Sequence, residues 1–305
     1  MRVALVGAGA LGLTYAARLA TLGNCDFGIV TSMAAPAAPV RIERVDDGET
    51  IEWMRPAGMQ AVPRDADLVM LCVRYEQLDA AAKSVGRGSA PVVVMTPIFP
   101  KDYARLSAAL PARIVTSMPG VVAYRNERGV VRYWLPRLAT TLVELRAASG
   151  AEVEFVGSLE RAGMAAKLDP EVLQRNMATT LSFLPLAIAI DVGGGIDNVL
   201  QNDELLAVAI DAAKEGRALG RSFGKAPAWA AVLMRFIGPL ALKAGVALAR
   251  ARAPEALKYT EEHFGHKLRA QNVAMARSIL DLARDKGARC DAMERLFALI
   301  FTSLN

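Results

Sequence analysis

Gly7, Gly9 and Gly12 stand in the spacing G-x-G-x-x-G within the opening run MRVALVGAGALG. That spacing suits the binding of a pyrophosphate, and each glycine has its own reason to be there. Gly7 permits a tight turn, Gly9 keeps side-chain atoms away from an approaching phosphate, and Gly12 lets a helix pack close against a strand. The motif carries this meaning only between a strand and a helix. Both are present: residues 2–6 form a short apolar run, and residues 13–22 have helical spacing. The backbone of Gly7, Ala8, Gly9, Ala10, Leu11 and Gly12 is therefore the expected phosphate cradle, with the N-terminus of the helix directed at the anion.

The choice of dinucleotide is read at the end of the second strand. An acidic residue there accepts from the ribose hydroxyls of NAD. This chain has Thr31-Ser32-Met33 instead, with no carboxylate. NADP is the expected cofactor, NAD the less favoured one, and Thr31 and Ser32 are the expected partners of its 2′-phosphate. Other chemistry is sparsely represented. Two histidines, His263 and His266, share an i, i+3 spacing but have Gly265 between them and no evident third ligand, so no metal site is expected. Cys25, Cys72 and Cys290 lie far apart with no C-x-x-C pair, which fits reduced thiols in a cytoplasmic protein.

The elements around these residues fall into two groups. The chain has 305 residues, 53% hydrophobic and 22% charged, with a net charge of +5, which suits two well-buried domains. The basic excess is spread out and not interleaved with aromatics, so nucleic acid is not expected as a partner. Strand-like runs cover residues 26–31, 67–73, 91–96 and 113–117, with helices at 76–85 and 104–110. Two hairpins are expected, one over 40–52 around Asp47-Gly48 and one over 121–134 turning at 127–129. The run MAAPAAP at 33–39 is too short and proline-rich for a crossover helix. From about residue 159 strand signals give way to helical spacing over 170–190, 203–219, 267–286 and 290–302.

The predicted fold is thus an α/β N-terminal dinucleotide-binding domain over residues 1–160 and an all-α C-terminal substrate and dimerisation domain over residues 161–305. The apolar stretch 226–249 is interrupted by Arg235, Pro239 and Lys243. It reads as a buried or interface helix pair, a dimer surface or a greasy substrate entrance rather than a membrane span. No membrane partner is expected, and the N-terminus lacks the ordered regions of a signal peptide.

Several landmarks together resemble the ketopantoate reductases, and more broadly dehydrogenases that join a Rossmann domain to a 6-phosphogluconate-dehydrogenase-like helical domain. They are VGAGALG at 6–12, DLVMLCVRYEQ at 67–77, the hairpin VVAYRNERGVVRY, the helix ending KEGRALG at 214–220, and the closing GARCDAMERLFALI. The resemblance implies reduction of a 2-oxo acid by NADPH and, by analogy, a homodimer. It implies a lysine proton donor on the first long helix of the second domain, an asparagine one turn later, and a glutamate and a serine nearer the C-terminus.

Matching Leu184-Pro185 to the family's Asn-Pro places the lysine position on Asn176 and the asparagine position on Thr180. The glutamate position falls near Gln271 and the serine position near Tyr259 or Thr260. The family's lysine at the end of the fourth strand becomes Arg74, next to Val73, and its Gln-Asn-Gly becomes Thr96-Pro97-Ile98. Val73, Arg74, Thr96 and Pro97 join the expected cofactor set, Arg74 by offering a planar fork to a carboxylate or phosphate. No lysine lies between Lys167 and Lys214, so no shift of register along the helix restores one. Asn176 can donate a hydrogen bond but cannot serve as a general acid, and Tyr259 is the remaining proton donor. The expected activity is reduction of a carbonyl or imine in a small-molecule substrate. A non-redox rearrangement or cyclisation on the same fold, or nucleotide binding without catalysis, are the alternatives.

Overall fold

The computed structural model describes residues 1–137, 139–145, 150–264 and 266–302, leaving aside the side chains of residues 229, 256, 262–264 and 266. Two compact units emerge, Met1–Leu173 and Gln174–Asn305.

The first unit begins with β1 (Arg2–Val6), α1 (Ala10–Ala20) and β2 (Asp26–Val30). Buried Val3 and Leu5 of β1 share a core with Leu13, Ala16 and Ala17 of α1, which is the strand–helix packing that the glycine spacing requires. No helix follows β2. The chain instead forms the hairpin β3 (Ala38–Arg44) and β4 (Thr50–Arg55), turning at Gly48 with φ +76°, and returns to the sheet as the two-residue β5 (Gly58–Met59). It continues through β6 (Leu68–Leu71), α2 (Leu78–Val85), β7 (Val92–Val94), α3 (Pro100–Ala109), β8 (Ile114–Met118) and the second hairpin, β9 (Val122–Arg125) and β10 (Val131–Trp134). β11 (Thr141–Glu144), α4 (Gly150–Arg161) and β12 (Ala166–Asp169) complete the unit.

The main sheet has the order β12-β11-β8-β7-β6-β1-β2-β5. From β5 to β8 every pairing is parallel, and β11 then runs antiparallel to β8. The parallel part is the doubly wound dinucleotide-binding order, reversing direction between β1 and β6. The two hairpins join as a separate sheet, β4-β3-β10-β9. α1 is packed between the sheets and buried through Tyr15, whose hydroxyl shares a 2.7 Å hydrogen bond with Thr141. Its last turn is anchored by Arg18, which bonds both carboxylate oxygens of Glu49 at 2.6 and 2.7 Å and the carbonyl of Ala162.

The second unit is helical apart from its joining turns: α5 (Val172–Gly193), α6 (Ile196–Gln201), α7 (Asp203–Arg221), α8 (Ala228–Arg235), α9 (Pro239–Arg252), α10 (Pro254–Phe264), α11 (Arg269–Asp285) and α12 (Asp291–Thr302). α5 starts just ahead of the break between the units. It is long and apolar enough to cross a membrane, but 61% of its apolar window is buried as a core helix. Pro185 sits inside it. A proline has no amide to give the carbonyl four residues back, which is Leu181. Gly216 of α7 lies against that carbonyl so closely that a Cβ would come within 1.9 Å of its oxygen. One turn on, a Cβ on Gly220 would come within 3.1 Å of Ala178 Cα. The α5–α7 contact is therefore backbone to backbone. Glu215 accepts from the amides of Ala292 at 3.0 Å and Met293 at 2.9 Å, capping α12.

Two expectations are corrected. Strands do not end before residue 159: α4 and β12 belong to the first unit, which runs to Leu173 rather than to 160. The stretch 226–249 does form two helices, but of the buried or interface pair expected only α8 is buried within the chain, through Ala230 and Met234, and α9 buries none of its residues.

Candidate functional site

The glycine turn lies at the carboxyl end of β1, beside the carboxyl end of β6, at the point where the strand order reverses. Ligands of open α/β sheets bind at such a point. Gly7 has φ +97°, and a Cβ there would lie 2.4 Å from the carbonyl oxygen of Cys72. At Gly12 a Cβ would meet the carbonyl oxygen of Gly7 at 2.7 Å and Leu5 Cδ1 at 2.9 Å. Both glycines are compelled by packing. Gly9 is different: a Cβ there would have no atom within 4 Å. It faces open space, at the N-cap of α1 with φ −74° and ψ 175°. Its carbonyl accepts from the amide of Leu13 at 2.9 Å. By helix geometry the preceding amides, of Ala10, Leu11 and Gly12, have no acceptor within α1. An open surface bordered by these donors fits a pyrophosphate. It also explains why packing does not demand a glycine at position 9.

The neighbouring strand ends are held by their own bonds. The Thr96 hydroxyl donates to the carbonyl of Val73, tying the end of β7 to the end of β6. Arg74 is half-exposed, with Nε 3.3 Å from Glu76 Oε1, and its amide donates to Gln77 Oε1. Pro97 is partly buried. Buried Tyr75 donates to Asp102 Oδ2 at 2.6 Å; the same oxygen accepts from the amide of Phe99 at 2.9 Å, and Arg105 bonds Oδ1. This Tyr75–Asp102 lock was not anticipated from the sequence. A proline at the first position of α3 with an acid two residues later is the signal that marks its capping half.

At the end of β2 the Thr31 hydroxyl donates to the carbonyl of Met33 at 2.6 Å, while Ser32 is exposed. Arg55, at the end of β4, donates to the carbonyls of Pro36 at 2.6 Å and Pro56 at 3.2 Å. The fold thus brings a guanidinium to the loop after β2, where the sequence places no arginine nearby. Only the hairpin return makes it a neighbour. Cys72, between the glycine turn and Val73, is partly buried, and desolvation pushes its thiol above the ordinary range.

In the second unit Asn176 and Thr180 lie one turn apart on α5, Asn176 buried and Thr180 partly exposed. Tyr259 is a buried residue of α10, and Gln271 is a half-buried residue of α11. The start of α11 is anchored to the far end of α5. Asp191 Oδ1 accepts from Arg269 Nε at 3.0 Å and Nη2 at 2.7 Å, and its Oδ2 accepts from Asn272 at 3.2 Å. Asp191 is roughly 22 Å of helix axis from Asn176 at 1.5 Å per residue. Gln271, beside Asn272, is thereby held toward the far end of α5, and the structure does not bring it together with Asn176 and Thr180. The side chains of His263 and His266 lie outside the described residues. Among those described, no group of three potential metal ligands is present.

Residues 3–132 match the family model described as ketopantoate reductase PanE/ApbA. No curated protein matches the sequence significantly. Among solved structures, a 2-dehydropantoate 2-reductase from Geobacter metallireducens GS-15 superposes with a TM-score of 0.70 at 18% identity, covering 99% of this chain and 100% of the other. A dimeric ketopantoate reductase from Staphylococcus aureus gives 0.67 at 13% identity, covering 99% and 98%. A D-mandelate dehydrogenase solved with NADH and anilino(oxo)acetate gives 0.64 at 12% identity, covering 99% and 97%. These likenesses establish a shared fold: a Rossmann-type α/β unit followed by a helical one.

Proposed function

We propose, because residues 3–132 match the ketopantoate reductase family model, that the chain is an NADP-dependent reductase of a carbonyl or imine in a small, 2-oxo acid-like substrate. The observation that carries the reading is the open, amide-bordered surface at Gly9 between two glycines that packing fixes. The backbone from Gly7 to Gly12 holds the pyrophosphate, and Val73, Thr96 and Pro97 shape the neighbouring strand ends. NADPH bound there supplies a hydride. Ser32 and Arg55 receive the 2′-phosphate, with Arg55 taking the part that an arginine has in NADP sites. Thr31 serves by fixing the loop, since its hydroxyl is given to Met33. Arg74 exchanges Glu76 for an anionic group of substrate or cofactor.

Asn176 and Thr180 orient the substrate by hydrogen bonds, and the phenol of Tyr259 supplies the proton to the developing alkoxide. Gln271, held toward the far end of α5, stands apart from this contact. Neutral groups at these four positions also suit the alternative, a chain that binds the nucleotide without reducing a 2-oxo acid. The reading extends to a cytoplasmic homodimer, supported by the dimeric Staphylococcus aureus structure.

Fluorescence titration with NADPH and NADH, followed by an absorbance screen of 2-oxo acids and imines, tests the reading. Tighter binding of NADPH that weakens to the level of NADH in Arg55→Ala is expected, with turnover of at least one substrate lost in Tyr259→Phe. Failure to bind either nucleotide overturns the reading. Binding without turnover selects the alternative. Light scattering of the purified chain reads the oligomeric state; a monomer at all concentrations removes the homodimer.

A further inference from the structure

The end of α7, with α8 and α9, carries a surface that the proposed reaction does not use. Between residues 216 and 254 the chain holds seven Lys and Arg and no Asp or Glu. Three of the arginines are gathered together. Arg217 Nη1 donates to the carbonyl of Met234 at 2.9 Å, which sets its guanidinium at the end of α8 where Arg235 follows. Arg221 stands one turn further along α7. Burial lowers the pKa of Arg217, and the charges of Arg221 and Arg235 lower it further. Among the described residues no carboxylate pairs with any of the three. Two cations of α9 are treated differently: Lys243 meets Asp203 at 3.5 Å and Arg250 meets Asp197 at 2.6 Å. Like charges held together without a counter-charge are costly, and an anionic partner relieves that cost.

Exposed apolar side chains follow on α8 and α9, beginning with Phe236, whose ring lies 6.0 Å from the Arg235 guanidinium. Val232, Leu233 and Phe236 are 58%, 59% and 68% exposed, and Leu240 and Leu248 of α9 are 83% and 59% exposed. Leu240, Ala244 and Leu248 recur every fourth residue, so they form one outward stripe. We propose that the α8–α9 face is a peripheral docking surface for an anionic lipid bilayer. Phe236, Leu240 and their neighbours enter the headgroup boundary while the guanidiniums of Arg217, Arg221 and Arg235 lie on lipid phosphates. Exposed apolar side chains beside unneutralised cations are what such a surface requires. A second copy of this chain fits less well, because a two-fold interface sets a patch against itself. Both arginine trios would then have to be accommodated with no acidic residue in 216–254 to receive them. The contact is peripheral rather than a span, and it departs from the expectation of no membrane partner. It does not depend on the proposed catalysis.

Co-sedimentation of the full chain with vesicles tests this, comparing phosphatidylcholine alone with a mixture containing phosphatidylglycerol. Binding to the anionic vesicles is expected to exceed binding to the neutral ones by about tenfold or more, and to be lost at about 1 M salt. The double variant Arg221→Ala/Arg235→Ala should weaken it by about tenfold or more. Phe236→Ser/Leu240→Ser should weaken it as well, with an unchanged circular dichroism spectrum because both side chains are exposed. No binding, equal binding to both vesicles, or binding indifferent to the arginine variant overturns the proposal. A concentration-dependent dimer that Phe236→Ser/Leu240→Ser dissociates also overturns it and gives the face to a second copy.

Discussion

The glycine turn of the first unit and the polar positions of the second differ in what defines them. At Gly7 and Gly12 the surroundings leave no space for a β-carbon, whereas Gly9 meets nothing within 4 Å. A function built from backbone is thus written in atoms that are missing. At Asn176, Thr180, Tyr259 and Gln271 the proposed role depends on which polar atom each side chain carries and where its helix directs it. The helical unit does have a buried ionic cluster, Asp191 with Arg269 and Asn272, but it fastens α11 to α5. The contrast teaches that a turn fixed by backbone packing is legible as a spacing of glycines, whereas a site made of side chains is legible only through the identity of each residue.

The contrast can be broken most severely at Gly7. Gly7→Ala forces an L-residue to φ +97° against the Cys72 carbonyl. Left-handed strain and overpacking together should cost about 4 kcal/mol. Urea denaturation showing a loss under about 1 kcal/mol would mean that packing does not fix the turn. Next comes Asp191→Ala, which leaves Arg269 without its buried partner and should cost about 3 kcal/mol. If nucleotide affinity falls in this variant in proportion to stability, the cluster is not merely a fastening. Gly9→Asp sharpens the comparison. An aspartate is a better N-cap than glycine by a few tenths of a kcal/mol, so thermal stability should hold or rise slightly. NADPH affinity should fall about thirtyfold through repulsion of the pyrophosphate. Loss of both together would assign Gly9 to packing instead.

The smallest effect is in pH. Burial raises the ionisation of Cys72 and Tyr15 above their ordinary values. In the unfolded chain they lose protons near the ordinary thiol and phenol pKa values, about 8.5 and 10. The unfolded state then binds fewer protons than the folded one, so stability falls as pH rises above that range. Each group adds a slope of at most about 1.4 kcal/mol per pH unit. Urea midpoints measured across the alkaline range should drop, and Cys72→Ala should flatten the first part of the fall. An unchanged slope would place Cys72 in contact with water.

The legible parts of the sequence were those where one local pattern decides the outcome. The β1–glycine–α1 unit, both hairpins and the absence of a helix after β2 were read correctly, because turn residues and alternation are local. β12 was not, since Ala166–Asp169 is four residues long and becomes a strand only by pairing with β11. The apolar composition of 226–249 left burial, an interface and a substrate entrance open alike, because composition does not state what lies against a face; within the chain α9 is exposed. Arg55 was missed because the hairpin carries it to the loop after β2 from outside that stretch of sequence. The residues of the second unit were placed by register along a helix, which gives a position on α5 but not the direction from which α10 and α11 approach it.

The Leu181 carbonyl, released by Pro185 and covered by Gly216, has an evolutionary consequence. The spacing of α5 and α7 there is set by a hydrogen atom where other residues carry carbon. Side chains that do not enter that crossing leave the distance unaltered, whereas at Gly216, and one turn on at Gly220, an added carbon meets the backbone of α5. Pro185 and Gly216 constrain each other. An alanine at 216 must push the helices apart, and an ordinary residue at 185 supplies an amide that competes for the same oxygen. Substitutions at the two positions should therefore be non-additive, and a lineage that changes one is expected to have to change the other.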